Sequence, residues 1–446
     1  MRVLALDVGS SSVRACAYDE RGRELDGEAR RAYQPHLGRD GSAELDPEEL
    51  LSAAEAVLAE AGGGVDATGI SCFWHSLLLL DAADRPLTPV LLWQDRRAVV
   101  QAEELREQLD AEAVHARTGC VLHPSYWPAK LAWLRAERPE QLAAARRIVT
   151  FGDYLFLRLT GELRTTPSTA SGTGLLDLHS RSWDGGLLEA LGLDGELLPP
   201  LIDEPAGSPP VFPPLGDGAC SNLGAGCTTP ERAALMVGTS GAYRVVRDGA
   251  PEVRPGLFCY LLDERRVVEG GAVSDGGNLH AWLTRTLRVE SPQLGEPDGH
   301  GLTFLPLLGG ERSPGWNPRA TGVVGGLTFE ADGADLYQAA HEGIVYRLAE
   351  IAERLPEVTE IVATGHALLA DSTWAQVCAD VLRRPVTASA VAEGSARGAA
   401  VHALERLGAT PDPAPLGLTY EPDPTWAEVY AAARARQREL YERLFG

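Results

Sequence analysis

Residues 3–18, VLALDVGSSSVRACAY, decide the fold, because two apolar runs are joined there by a short loop of small residues. The runs at residues 3–6 and 13–18 predict buried β-strands, so residues 9–12 form a tight hairpin. In Gly9, Ser10, Ser11 and Ser12, backbone N–H groups and hydroxyls face outward, which suits phosphate oxygens. Asp7, at the end of the first run, then lies where a carboxylate would hold a metal ion. The alternative is a surface hairpin whose glycine and serines only suit the turn. A P-loop is excluded, because its G-x-x-x-x-G-K-[ST] motif and following helix are missing.

The same pattern recurs in the second half, in residues 233–249, AALMVGTSGAYRVVRDG. The repeated loop residues are Gly238, Thr239 and Ser240, in place of Gly9, Ser10 and Ser11. An arginine follows each loop, Arg14 in the first copy and Arg244 in the second. Two such hairpins predict two similar domains that face each other. Met236 replaces Asp7 in the second copy, so the phosphate-binding backbone is duplicated and the carboxylate is not.

The composition is that of an ordinary soluble globular protein, and the charge argues against nucleic acid as a partner. The 446 residues include 40 Lys plus Arg against 63 Asp plus Glu, a formal charge of −23, and such a surface repels polyanions. A local nest of N–H groups with a divalent cation still allows a small phosphorylated ligand. The seven cysteines are scattered without a C-x-x-C pair, which is typical of a reducing compartment. Neither a secretory signal nor a membrane-spanning run is predicted, and we expect a cytoplasmic protein without a membrane partner.

Strand and helix patterns alternate along the chain, as in α/β proteins. Helices are predicted at residues 46–62, from about residue 97, and at 335–355, 373–382 and 393–408, the last with small residues that allow close packing. Residues 67–81 and 85–98 predict strands. The proline-rich stretch at residues 199–214 marks the approach to a boundary between two halves, residues 1–230 and 231–446. The C-terminal helical stretch packs either on its own domain or on a partner, so a homodimer is one alternative.

Several separate segments together resemble the FGGY carbohydrate kinases, of the superfamily of sugar kinases, heat-shock ATPases and actin. These segments are DVGSSSVR, SAELDPEEL, RPLTPVLLWQDRRA, PLGDGACSNLGAG, VGTSGAYR, SDGGN, ERSPGW and ATGHALLADSTWAQVCADVLRRPV. The resemblance implies two ribonuclease H-like domains of the actin-like ATPase type with a cleft between them. ATP would bind in that cleft, gripped by both hairpins, with the sugar and the base in the N-terminal domain and the nucleotide in the C-terminal one.

The resemblance also implies roles for individual residues. Asp217, flanked by two glycines, would be the catalytic base, whereas its alternative role is a helix N-cap. A carboxylate at a helix start is expected to stay ionised. Sugar contacts are implied for Trp74, His75, Trp93, Asp95 and Arg96. Asp7 would hold Mg²⁺ through water.

The nucleotide contacts implied by the family fall on four segments. They comprise Gly9, Ser10, Ser11, Ser12 and Arg14; Gly238, Thr239 and Ser240; Gly277 and Asn278, beside Gly276; and Gly365 and His366. A structural turn is the alternative for the SDGGN segment. The family usually carries two or three consecutive glycines where this chain has Gly365, His366 and Ala367, so a side chain stands where backbone should approach the nucleotide.

The segment FWHSLLLLD followed by LTPVLLWQDRRA is most similar to gluconate kinases, since xylulose kinases usually have Met-His-Gly there. The expected reaction is ATP-dependent phosphorylation of gluconate to 6-phosphogluconate. Xylulose or another pentulose or polyol is an alternative acceptor, and a non-catalytic sugar or nucleotide sensor is the alternative of another class. A gluconate carboxylate needs a cation, and the sequence leaves Arg96, Arg97, Lys130 and Arg312 open. The histidines His280, His300, His341, His366 and His402 show no metal-ligand spacing.

Overall fold

The computed structural model describes residues 1–287 and 294–446. In the first 230 residues the strands are β1 (Arg2–Val8), β2 (Ser12–Asp19), β3 (Glu24–Ala32), β4 (His36–Leu37), β5 (Ala43–Leu45), β6 (Ala67–Cys72), β7 (Leu78–Leu80), β8 (Val90–Leu91), β9 (Arg147–Val149), β10 (Leu176–Asp177), β11 (Ser182–Trp183) and β12 (Leu215–Gly216). The helices there are α1 (Pro47–Ala61), α2 (Val99–Gln108), α3 (Ala111–Thr118), α4 (Trp127–Glu137), α5 (Pro139–Ala144), α6 (Phe151–Thr160), α7 (Pro167–Ser171), α8 (Gly185–Leu191) and α9 (Asp217–Gly224).

The second half contains the strands β13 (Arg232–Val237), β14 (Gly241–Asp248), β15 (Phe258–Leu261), β16 (Arg266–Val273), β17 (Thr303–Leu305), β18 (Val323–Gly325), β19 (Glu360–Thr364), β20 (Val386–Ser389) and β21 (Leu416–Tyr420). Its helices are α10 (Gly277–Leu287), α11 (Gly333–Ala352), α12 (His366–Leu369), α13 (Ser372–Leu382), α14 (Gly394–Arg406) and α15 (Ala427–Phe445). Short 3₁₀ helices lie at Gly195–Leu197 and Pro424–Trp426.

The first hairpin is the centre of a five-stranded sheet, in the order β12-β6-β1-β2-β3. Strand β1 runs antiparallel to β2 and parallel to β6, with Val8 opposite Val13 at the loop. The Gly9 N–H donates to the carbonyl of Ser12 at 2.9 Å and closes the turn. The two predicted strands and the tight loop between them are confirmed.

The second hairpin has the same place in a seven-stranded sheet, in the order β15-β16-β14-β13-β19-β20-β21. Strand β13 runs antiparallel to β14 and parallel to β19, as β1 does with β2 and β6. The predicted duplication, and with it the α/β fold of two actin-like ATPase domains, is therefore confirmed. The proposed domain boundary at residues 230–231 falls in the connection between α9 and β13.

Helices α9 and α14 form a thin layer between the two sheets. Their alanines and Leu223 share one core with β1 residues of the first sheet and with Ala242, Val246 and Val268 of the second. A Cβ atom added to Gly398 of α14 would lie 1.8 Å from the Cys220 carbonyl oxygen, and one on Gly224 of α9 would lie 1.8 Å from the Gly394 carbonyl oxygen. The predicted close packing of the helix at residues 393–408 is thus confirmed, and backbone meets backbone there.

The predicted helices at residues 46–62, 335–355 and 373–382 correspond to α1, α11 and α13. The predicted strand at residues 85–98 is wrong over most of its length, because only Val90–Leu91 pairs as β8. The carboxylate of Asp95 accepts a hydrogen bond from the Ala43 N–H at 3.2 Å and another from the Arg97 N–H at 3.1 Å, which turns the chain away from the sheet. Helix α15 packs on its own half through Tyr430, Ala433 and Gln437. Across residues 1–287 and 294–446, no helix is both long and apolar enough to cross a bilayer.

The glycine contact between α9 and α14 can be tested by substitution. We expect Gly398→Ala to lower the free energy of unfolding by about 1–3 kcal/mol, because the new methyl group meets the Cys220 carbonyl. Helix propensity alone predicts the opposite, a gain of up to ~1 kcal/mol. The matched control is Gly185→Ala in α8, where nothing lies within 4 Å of the added atom. Denaturant unfolding of both variants decides, and equal stability of the two would contradict the close contact.

Candidate active site

The two hairpins open into one cavity of 1440 Å³. Ser11 of the first loop lines it from one side, and Gly238 and Thr239 of the second loop line it from the other. The carboxylates of Asp7 and Asp217 border the same space. The structure therefore brings together the phosphate-binding loops, the predicted metal ligand and the predicted base.

Asp7 lies at the end of β1, buried at the mouth of the first loop. The Ser71 hydroxyl donates to Asp7 Oδ1 at 2.7 Å, and Arg14 Nε lies 3.5 Å from Oδ2. Burial raises the pKa of the Asp7 carboxyl, while Arg14 and Ser71 act against this shift. A desolvated carboxylate that faces a polar cavity gains most from a cation, which fits the predicted metal-binding role.

Asp217 is the first residue of α9, and Gly216 is its N-cap residue. Its Oδ1 accepts a hydrogen bond from the Gly218 N–H at 2.8 Å, so the alternative role as N-cap is not the one observed. Burial raises the pKa of the Asp217 carboxyl, with the guanidinium of Arg244 as the main opposing charge. The sequence predicts that this carboxylate stays ionised, and it gives no sign of the desolvation that raises the pKa.

The glycines around Asp217 are required by the indole of Trp74. A Cβ atom on Gly216 would lie 1.9 Å from Trp74 Cε2, and one on Gly218 would lie 2.4 Å from Cζ3. Trp74 Nε1 donates to the Ser168 carbonyl at 2.9 Å, and His75 Nδ1 lies 2.5 Å from the Gly172 carbonyl oxygen. Both rings are buried behind the base, and Trp74 supports the loop of Asp217 from below.

Arg244 lies beside Asp217 on β14 and borders the cavity. Its Nε and Nη1 are buried without a hydrogen-bond partner within residues 1–287 and 294–446, and burial lowers the pKa of its guanidinium to about 10. Sequence reasoning noted its repeat with Arg14 but did not include it among the site residues. The repeated arginine after each loop was the signal that could have found it.

The first loop is held by side chains around it. Ser10 and Ser11 form the exposed bend, while Ser12 is buried and its hydroxyl lies 3.2 Å from Arg14 Nη2. The Tyr33 hydroxyl donates to the Gly9 carbonyl. Arg14 forms an ion pair with Glu393, the residue before α14, and this pair ties the loop to the helix layer.

The second loop is held by the SDGGN segment. The Gly277 N–H donates to the Gly238 carbonyl at 2.7 Å, and the Asn278 N–H donates to the Thr239 carbonyl at 3.1 Å. Gly277 and Asn278 also line the cavity, so they both support the loop and face the space where a ligand would bind. Ser240 closes the turn through its carbonyl, which accepts from the Gly238 N–H at 3.0 Å.

Gly365 is the N-cap residue of α12 with φ 88°, and a Cβ atom there would lie 2.4 Å from the Val237 carbonyl oxygen. Glycine is therefore needed at this position for both conformation and space. His366 is exposed and lines the cavity beside it, so an imidazole does stand at this wall.

A second, narrower cavity of only 20 Å³, about the space of one water molecule, is lined by Trp93, Asp95, Arg96, His123 and Arg312. The Arg312 guanidinium carbon lies 4.9 Å from the centroid of the Trp93 ring. His123 was missed by sequence reasoning; it is buried close to the backbone of Glu311, and burial lowers the pKa of the imidazole. Nothing in its local sequence distinguishes it from a packed histidine.

Contacts separate the four candidate cations for a substrate carboxylate. Arg97 pairs with Asp95 and Glu44, and Lys130 Nζ donates to the carbonyls of His75 and Ser125 at 2.8 Å each. Arg96 Nη2 donates to the Pro318 carbonyl at 2.8 Å.

Arg312 is 8% exposed and, within residues 1–287 and 294–446, its guanidinium has no carboxylate or carbonyl partner. It is therefore the buried cation that remains open to an anion.

The loop that carries Arg312 bridges the two halves. Arg106 Nη2 donates to the Trp316 carbonyl at 3.1 Å, in addition to the contact of Arg96. On the other side, Glu311 forms a buried ion pair with Arg347 and accepts from the Tyr441 hydroxyl at 2.6 Å. Behind the loop, burial raises the pKa of Asp275 to about 7, and this carboxyl accepts from the Gly309 N–H at 3.2 Å.

One of the histidines without metal-ligand spacing in the sequence, His300, lies close to two carboxylates in the structure. His300, Asp298 and Glu342 present ligand atoms within 4.8 Å of one another. Their oxygens are already engaged, because Glu342 accepts from Tyr346 at 2.8 Å and Asp298 pairs with Arg436 at 2.5 Å. The cluster is an ion-pair network. Of the others, His280 and His341 are hydrogen bonded to each other at 3.1 Å in the cavity wall, and His402 packs against Phe212.

Comparisons with known proteins agree with this geometry. The model of the FGGY family of carbohydrate kinases, N-terminal domain, matches residues 2–206, and the C-terminal domain model matches residues 233–405. Gluconokinase from Bacillus subtilis is 30% identical, over 91% of this chain and 88% of that protein. Xylulose kinase from Escherichia coli is 29% identical over 99% of this chain and 98% of its own.

Among solved structures, gluconate kinase from Lactobacillus acidophilus superposes with a TM-score of 0.90 at 27% identity, covering 99% of this chain and 98% of that one. Both family domains, the relatives and the shared cleft lead to one conclusion: the chain belongs to the FGGY family of carbohydrate kinases.

Proposed function

We propose that this kinase transfers the γ-phosphoryl group of ATP to a hydroxyl of gluconate and forms 6-phosphogluconate. The observation that carries the choice of substrate is the buried guanidinium of Arg312 in the narrower cavity. An uncompensated buried charge is costly, and a carboxylate bound beside it would remove that cost. A ketose or a polyol carries no charge and would leave Arg312 uncompensated.

On the phosphate side, the N–H groups of the two loops would bind the β and γ phosphates from opposite sides. Asp7 fits a role in holding Mg²⁺, since it is a buried carboxylate that borders the cavity. When bound, the ion would neutralise phosphate charge. His366 would contact the nucleotide where most relatives expose backbone, and Gly365 would allow the close approach of the chain.

Asp217 would act as the general base. The acceptor hydroxyl oxygen forms a bond to the γ phosphorus, the bond from that phosphorus to the bridging oxygen breaks, ADP leaves, and the hydroxyl proton passes to the Asp217 carboxylate. A pKa raised by burial brings this base closer to neutrality, where proton transfer is more favourable. The unpartnered N–H groups of Arg244 would stabilise the charge on the transferred group.

Xylulose is the second candidate, favoured by the similarity of xylulose kinase over nearly the full chain. His75, with Nδ1 bonded to Gly172, leaves Nε2 for an acceptor hydroxyl in either case. A gluconate carboxylate is charged, whereas the hydroxymethyl ketone of xylulose is not, so Arg312 distinguishes the two candidates.

We expect Asp217→Asn to lower kcat by about 10²–10⁴-fold with gluconate, because the amide cannot accept the proton. Binding of a non-hydrolysable ATP analogue, measured by calorimetry, should be retained. Asp203→Asn is the matched control, since the pKa of Asp203 is also raised by burial, to about 6, but this carboxylate pairs with Arg406 and does not border the cavity. Unchanged turnover of Asp217→Asn would remove the base assignment.

The pH dependence of kcat should show an acid limb at a pH above the usual 3.8 of an aspartate, because the active form is the carboxylate and its pKa is raised. Arg244 lowers this pKa, so Arg244→Met should move the acid limb to higher pH. Initial rates measured across the acid range for both proteins test this. A shift to lower pH in the variant would contradict the coupling of these two residues.

Arg312→Met should lower kcat/KM for gluconate by about 30-fold or more, the effect of losing a buried charge contact of ~2–5 kcal/mol. Turnover of xylulose and glycerol should change far less, since neither carries a charge. The thermal midpoint should not fall, because the variant removes an uncompensated buried charge. An equal loss with xylulose, or unchanged gluconate turnover, would reject gluconate recognition by Arg312.

A further inference from the structure

A separate cavity of 520 Å³ lies on the outer side of the seven-stranded sheet. It is formed by β14 and β19 with the ends of α11 and α13, and by Arg434 of α15. It shares no lining residue with the 1440 Å³ cavity between the two hairpins, called the cleft below, or with the narrower cavity. Its size falls within the range of about 300–1,000 Å³ found for small-molecule sites.

The floor of this outer cavity is apolar and carries one free hydroxyl. Leu355, Val358, Ile361 and Val381 are buried there. Tyr243 of β14 is 2% exposed and lines the cavity, and its hydroxyl makes no hydrogen bond to any residue in the described part of the chain. Burial raises the pKa of this phenol, so it remains a hydrogen-bond donor. The side chain is buried while its hydroxyl faces the cavity without a partner among the described residues, which suits a donor to a ligand.

The rim is cationic, although the whole chain is strongly anionic. Of its arginines, Arg384 pairs with Glu357 and Arg434 pairs with Glu353. Arg434 Nε is buried without a hydrogen-bond partner in the part of the chain that the structure describes. Arg383, exposed with φ 55°, has no ion pair among the residues described. Three arginines against two glutamates leave one positive charge in excess.

We propose that the outer cavity binds a monoanionic organic acid with an apolar body. The apolar body packs on Leu355, Val358 and Val381, and the Tyr243 hydroxyl donates a hydrogen bond to an acceptor oxygen or nitrogen of the ligand. The anionic end meets Arg383 at the rim, with the free Nε of Arg434 beside it. An uncharged ligand would make no ion pair with the excess positive charge of the rim. A small inorganic anion would leave the apolar floor in contact with water.

The site can be tested with anilinonaphthalene sulfonate, a fluorescent monoanion with an aromatic body. Titration of the full chain should give saturable binding that persists in the presence of a saturating non-hydrolysable ATP analogue, because the cleft is a different cavity. Phenylnaphthylamine, the same body without the sulfonate, should bind at least about tenfold more weakly. Displacement by the nucleotide analogue, or equal binding of the neutral probe, would overturn the proposal.

Two variants locate the probe on the protein. Arg383→Glu should weaken binding by about tenfold or more, and because this residue is exposed its fold should be kept. Leu382→Trp should reduce binding by filling the cavity from its half-buried wall. Arg39→Glu is the matched charge control, because Arg39 is also exposed and lies in the first half of the chain. This variant should bind the probe as the parent protein does. The proposal fails if Arg383→Glu and Leu382→Trp, folded by circular dichroism, bind the probe as tightly as Arg39→Glu.

Discussion

The close contact of α9 with α14 is the constraint on which the rest of the structure depends. Cβ atoms at Gly224 and Gly398 would lie 1.8 Å from carbonyl oxygens of the facing helix, so the two backbones touch. This thin layer shares one buried core with residues of both sheets. Because each sheet carries its hairpin at the same place in its topology, the layer also brings both phosphate loops to one cavity. A thicker layer with larger side chains would hold the loops further apart.

The same layer explains where the chemistry is concentrated. Helix α9 starts at Asp217, and Glu393 immediately precedes α14, so both helix N-termini open at the cavity. Their dipoles favour negative charge there, while the surrounding core withdraws water from Asp7, Asp217 and Arg244. Of these groups, Arg244 has two buried guanidinium nitrogens without a hydrogen-bond partner among the residues that the structure describes. Such incomplete compensation is typical of sites that are completed by a charged ligand.

Much of the fold was predictable, because it follows from local patterns. The sequence alone shows alternating apolar runs, small loop residues and the repeat of Gly9 at Gly238. The chain position of α14 gave no indication that it packs against the first sheet, since that contact joins residues far apart in sequence. The strand expected at residues 85–98 failed for a related reason: a buried carboxylate, Asp95, took hydrogen bonds from the backbone that a ladder would have used.

The motifs that form the site were predictable from the sequence. Which side chains within those motifs are paired and which are free to bind a ligand was not. Whether an arginine is free depends on what surrounds it in space, and Arg97 and Arg312 differ only in that respect. The same limit applies to β14, where successive side chains point to opposite faces. Arg244 faces the cleft and Tyr243 faces the outer cavity, so one strand that begins at the second phosphate loop forms part of both walls. The sequence of β14 shows that its side chains alternate between two faces. What each side chain contacts depends on the packing of α11 on one face and α9 on the other.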